Sequence, residues 1–64
     1  MPLYTFYPCR ADGSSTAFET FELRDDARAM ARAHRVLDEH PSAVEVVVWR
    51  GDRRLGAVER EHAA

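Results

Sequence analysis

The side chains best equipped for chemistry in this chain are one cysteine, three histidines and nine arginines. Cys9 with His34, His40 or His62 has the residue types of a thiol nucleophile and its base, or of metal ligands. Nucleophilic catalysis also needs a group that orients the base against the thiol, and nothing in the spacing supplies one. No pair has zinc-ligand spacing, such as two cysteines three apart or two histidines four apart on a helix. The histidines read instead as structural. His34 borders the apolar side of a predicted helix, and His40 falls in its last turn, where a cation is favoured.

The carboxylates divide the same way. Asp25 and Asp26 are accounted for by helix capping, and Glu59 and Glu61 by a solvated tail, so no general acid–base pair stands out. Gly13, Gly51 and Gly56 form no phosphate-binding pattern, because the Gly51 turn leads into a strand rather than a helix. Arg50-Gly51-Asp52 spells an adhesion tripeptide by chance. The sequence thus predicts no catalytic residue, no metal and no cofactor, and the chain reads as a non-enzyme.

Arginines form two groups. Arg50, Arg53 and Arg54 cluster at one predicted hairpin tip, and Arg28, Arg32 and Arg35 form a helix stripe. The tip is a candidate phosphate contact, since a β-ribbon can enter a nucleic-acid groove. Against this, eleven acidic residues outnumber nine basic ones, and no helix-turn-helix or RNA-binding aromatic signature is present. The helix stripe can pair internally, Arg35 with Glu39 and Arg28 with Asp25, which makes it a solvated face.

The elements that must position these residues follow from period and turn chemistry. Leu3 to Cys9, rich in Tyr and Phe with prolines at its ends, predicts a strand. Arg10 to Thr16 is a turn centred on Asp12-Gly13, and Ala17 to Leu23 returns as a second strand. A two-residue turn there pairs Tyr4 with Phe21 and Phe6 with Glu19, leaving Thr5, Tyr7, Phe18 and Thr20 on the other face. Asp25 to Glu39 is the one helix, capped by Asp25 and ended by His40-Pro41. Its apolar side holds Ala29, Met30, Ala33, Val36 and Leu37.

Ala43 to Arg50 and Arg53 to Glu59 form a second hairpin about Gly51-Asp52. A tight turn pairs Arg50 with Arg53, Trp49 with Arg54, Val48 with Leu55 and Val46 with Ala57. Val44, Val46, Val48, Leu55 and Ala57 then share one face, and Val47, Trp49, Arg54, Gly56 and Val58 the other, with Arg54 over the indole. The tail from Arg60 to Ala64 is expected to fray. The whole is one α+β domain over residues 1–64 of order ββαββ. Its four-stranded, mainly antiparallel sheet carries the helix on one face and has the first strand inside, against the second hairpin.

One helix leaves the other face of such a sheet uncovered. That face carries Tyr7, Phe18, Val47, Trp49, Arg54 and Val58, an apolar patch large for a monomer. The expectation is a homodimer by sheet stacking, a small interaction module whose partner is a second copy or another protein. Net charge is −2, which argues against a general pull toward nucleic acid or anionic lipid. One cysteine precludes a disulfide-stapled secreted scaffold, and neither a signal peptide nor a membrane-crossing run is legible, which points to the cytoplasm. Arginine as the sole basic residue, without Lys, Asn, Gln or Ile, fits a GC-rich bacterial coding sequence.

The start Met1-Pro2-x-Tyr4-x-Phe6, the Glu22-Leu23-x-Asp25 entry to an Ala-rich helix and the Val-rich final hairpin resemble a family of short α-proteobacterial proteins, a domain of unknown function of ββαββ order. The resemblance covers nearly the whole chain and implies the fold and a bacterial cytoplasm, but no activity. Arg24, where that family often has proline, and Trp49 depart from its pattern. A fainter likeness is to the N-terminal domain of HicB-type antitoxins, which has a similar strand, acidic-Gly turn, strand and Ala-rich helix. The segment that precedes the helix in those proteins and their DNA-binding part have no counterpart here. It implies an alternative, a nucleic-acid-binding or antitoxin-like regulator using Arg50, Arg53 and Arg54.

Overall fold

A computed structural model describes residues 1–15 and 17–60. Strands β1 (Leu3–Cys9), β2 (Glu19–Glu22), β3 (Glu45–Arg50) and β4 (Arg53–Glu59) and helix α1 (Asp26–Glu39) follow the order ββαββ. The strands form one sheet of order β2-β1-β3-β4, antiparallel throughout, so β1 lies inside as expected.

The first hairpin keeps the predicted register, with Tyr4 opposite Phe21 and Phe6 opposite Glu19. Its connection is longer than a two-residue turn. The Gly13 amide donates to the Arg10 carbonyl at 2.8 Å, and Asp12 Oδ1 accepts from the Ser14 amide and hydroxyl. These side-chain bonds fold the loop on itself and leave Ala17 and Phe18 outside the strand. The Ser14 hydroxyl and amide also hold the Asp12 carboxyl below its ordinary range. The β3 strand likewise begins at Glu45 rather than Ala43, whose side chain is buried in the loop ahead of it.

The second hairpin departs from its expected pairing. Arg50 faces Arg53 and Trp49 faces Arg54, but beyond them Val48 faces Gly56 and Val46 faces Val58. One extra residue, Leu55, is accommodated in β4 as a bulge between Trp49 and Val48. Because side chains alternate, that one-residue slip exchanges the faces of everything that follows. Val58 moves beneath the helix and is 7% exposed, while Ala57 joins Val47 on the open side. Gly51 has φ of +59° and Asp52 no positive φ, the pattern of a type II′ hairpin turn.

The core lies between the sheet and α1. Tyr4 and Phe6 from β1, Val46 and Val48 from β3, and Val58 from β4 meet Ala29, Ala33, Val36 and Leu37, with Met30 and Leu55 at the margin. The alanines bring the helix close over β1, β3 and β4. The edge strand β2, on the side away from β4, is reached by longer side chains. The Arg32 guanidinium lies 4.2 Å from the centroid of the Phe21 ring, so Arg32 is no part of a solvated stripe. His40 Nε2 stands 3.6 Å from Glu19.

Both helix ends are capped by side chains. Asp25 caps the N-terminus by accepting from the Arg28 amide at 2.9 Å. At the other end there is no basic residue in the last turn. Arg60 supplies the cation from beyond β4, its guanidinium donating to the carbonyls of Leu37 (2.6 Å), His40 and Ala43 (both 3.1 Å). Arg60 is therefore a tertiary clamp rather than the start of a frayed tail. Residues 61–64 of that tail lie outside the described residues.

Candidate functional site

The face of the sheet away from α1 is built in rows by the strand register. Thr20, Thr5, Trp49 and Arg54 form one row. Tyr7, Val47 and Ala57 form the next, extended by Phe18, whose ring centroid lies 5.9 Å from that of Tyr7. Cys9, Glu45 and Glu59 form the third. Tyr7, Val47 and Trp49, with Cys9 and Ser15, line a shallow groove of about 340 Å³. Phe18 is 62% exposed and Leu3, at the sheet's end, 50%. An apolar band thus crosses the sheet, with Arg54 and, on the far edge strand, Glu22 on one side and the Glu45–Glu59 pair on the other.

Five of the six residues expected on this surface lie there: Tyr7, Phe18, Val47, Trp49 and Arg54. Val58 does not. The bulge turns it into the core, and Ala57 takes its place. Gly56 was the available signal, because an isolated glycine inside a strand marks a bulge as readily as it makes room for an indole. Arg54 keeps its position opposite Trp49, yet among the described residues the cation–π contact is that of Arg32 with Phe21.

The hairpin-tip arginines are divided between the two faces. Arg50 shares the helix side with Tyr4, where its guanidinium is 3.2 Å from Asp26 Oδ1. The same oxygen accepts a hydrogen bond from the buried Tyr4 hydroxyl at 2.7 Å. Burial, and then the bond to Asp26, push the Tyr4 phenol above its ordinary pKa. Arg53 stands opposite Arg50, and Arg54 points to the open face. A single phosphate-gripping surface built from Arg50, Arg53 and Arg54 is not assembled.

The thiol and imidazoles are also apart in role. Cys9 faces the open side, its Sγ 3.4 Å from the Tyr7 carbonyl. Burial, with the charge of Glu45 second, raises its pKa, which keeps it a thiol and a poor nucleophile. His40 is the helix C-cap, and its Nδ1 lies 2.8 Å from the Val36 carbonyl, so that nitrogen carries the hydrogen. His34 is exposed on α1 beside Asp38 and Arg60, and His62 lies outside the described residues. Among the described residues no three of His, Cys, Asp and Glu converge as a metal site would require.

Comparison of the chain with protein-family models, curated proteins and solved structures gives no match.

Proposed function

We propose that this chain is a small, non-enzymatic interaction module that homodimerises through the helix-free face of its sheet. The observation that supports the reading is the apolar band of Phe18, Tyr7, Val47 and Trp49 left open on that face. In a 64-residue domain the single helix is used up on the other side. Strands about 4.8 Å apart and rows about 7 Å apart make the band and its flanks roughly 400 Å² per copy. Two such faces bury on the order of 800 Å², below the standard size of a stable interface, so the dimer is expected to be weak, dissociating in the micromolar range or above.

Light scattering after size exclusion, over a micromolar-to-millimolar dilution series, tests the reading. The expected result is a concentration-dependent approach to twice the chain mass, with Trp49 emission shifting to the blue as it rises. Trp49→Glu and Val47→Asp should each abolish that rise. Wild type holding monomer mass throughout would refute the proposal. A cytoplasmic site of action belongs to the same proposal and is supported by the lone cysteine. No helix of the described residues is long and apolar enough to cross a membrane.

A further inference from the structure

The open face is polar in a directed way. Arg54 flanks the apolar band on the side of the hairpin tip, and Glu45 and Glu59 flank it on the opposite side, directly across from one another on β3 and β4. Like charges facing across a strand pair repel. Among the described residues neither carboxylate has a cationic partner within 4 Å, and Arg54 has no carboxylate within that distance. Arg10 and Arg60 border the groove that Glu45 and Glu59 line but form no ion pair there, the Arg60 guanidinium being taken up by the carbonyls at the helix end. The face therefore presents Arg54 on one side of its apolar band, with Glu22 on the far edge strand beyond it, and the Glu45–Glu59 pair on the other.

A two-fold axis relating two stacked sheets lies in the plane between them. With the strands kept near alignment, as stacked sheets are, the axis runs either along the strands or across them. If it runs along them, each row lies over the same row of the second copy. The strand order is then reversed, β4 over β2 and β3 over β1, so Glu59 and Glu45 fall over the β2 end and Cys9 with no cation above them, and Arg54 falls over Thr20, with Glu22 two residues away along β2. If it runs across them, through the Tyr7–Val47–Ala57 row, the strand direction reverses and β4 lies over β4 of the second copy. The row of Arg54 then falls over the row of Glu45 and Glu59, twice by symmetry. The apolar middle row meets itself in both cases, and what separates the two arrangements is that only the second sets Arg54 directly over a carboxylate, Glu59, with Glu45 beside it.

We infer that the occupant of this face is a second copy of the chain stacked with its strands antiparallel, Arg54 of each copy over Glu59 of the other and Glu45 beside it. This rests on the homodimer proposed above and adds its symmetry and the residues that select it.

Charge reversal tests the arrangement by sedimentation equilibrium. Arg54→Glu alone, and the double variant Glu45→Arg with Glu59→Arg alone, should each weaken self-association about tenfold or more, since each reverses two symmetry-related contacts. An equimolar mixture should regain wild-type affinity, because every contact in the mixed pair again joins opposite charges. A wild-type dimer unmoved by Arg54→Glu, or a mixture no tighter than its components, would overturn the antiparallel arrangement while leaving the homodimer standing. Monomeric wild type overturns the homodimer itself. A milder pair guards against misfolding. In a Cys9→Ser background, a short bis-maleimide reagent should join Arg54→Cys chains to Glu59→Cys chains in preference to like with like. Preferential joining of like chains counts against the inference.

Discussion

The helix C-terminus offers the sharpest test of the fold. Helix α1 has no basic residue in its last turn, and Arg60 brings a cation to it from the far end of β4, donating to the Leu37 and His40 carbonyls, which also accept from the His40 and Ala43 amides, and to the Ala43 carbonyl in the loop beyond. Arg60→Ala removes three hydrogen bonds from a charged donor. Such bonds contribute about 1.5–3 kcal/mol each when fully buried. Here the guanidinium is half-buried, and water replaces part of what is lost, so the three together are worth roughly 2 kcal/mol. For a domain this small, 1 kcal/mol moves Tm by about 4–8 °C, and the expected fall is therefore on the order of 10 °C. Arg60→Lys should recover only the interaction with the helix dipole, about 0.3–1 kcal/mol, because an ammonium cannot fork across three carbonyls. The reference is Arg35→Ala, which breaks an exposed pair with Glu39 at 3.9 Å worth about 0.3–0.5 kcal/mol. Thermal unfolding followed by circular dichroism, at one chain concentration because self-association moves Tm, reads all three. An Arg60→Ala curve that falls no further than that of Arg35→Ala would refute the clamp.

Three further outcomes follow from the geometry. Val58→Asp should unfold the chain by burying an unpaired charge, whereas Ala57→Asp should leave its circular dichroism native; the opposite result would mean that β4 has no bulge. Cys9, with its pKa raised, should alkylate with iodoacetamide more slowly than free cysteine at mildly alkaline pH, and a faster rate would contradict the raised thiol pKa. The Tyr4 phenol has a raised pKa in the folded chain, so the stability it contributes is complete below pH 10, its unfolded value, and is lost as pH rises through the higher folded one. Urea midpoints recorded from neutral to strongly alkaline pH should therefore fall less steeply in Tyr4→Phe than in wild type, and identical slopes would place that loss elsewhere.

Much of this architecture is local and so was legible in the chain itself. The helix limits follow from Asp25 and Pro41, and its buried side from residues 3.6 apart. The outward set of β1 and β3 follows from strict alternation around Tyr4, Phe6, Val46 and Val48. The register of the first hairpin also came through, although its loop folds differently, since Asp12 and Gly13 stay at the centre of the pairing however the intervening backbone is arranged.

What only the tertiary structure decided are the features that depend on two elements competing for one space. Alternation predicts Ala57 inward and Val58 outward, but the site under α1 takes the larger side chain, and a bulge at Leu55 delivers it. The arginines tell the same story. Alternation already sends Arg50 and Arg54 to opposite faces, but only the fold gives Arg50 its partner in Asp26 and draws Arg32 from the exposed stripe to the Phe21 ring. Arg60 looks like tail composition until the helix end is folded back beside it. Periodicity fixes which face a side chain leaves by only as far as the next bulge; where the bulge falls, and which neighbour a side chain meets, are set by packing between elements far apart in the chain, where no local pattern reaches.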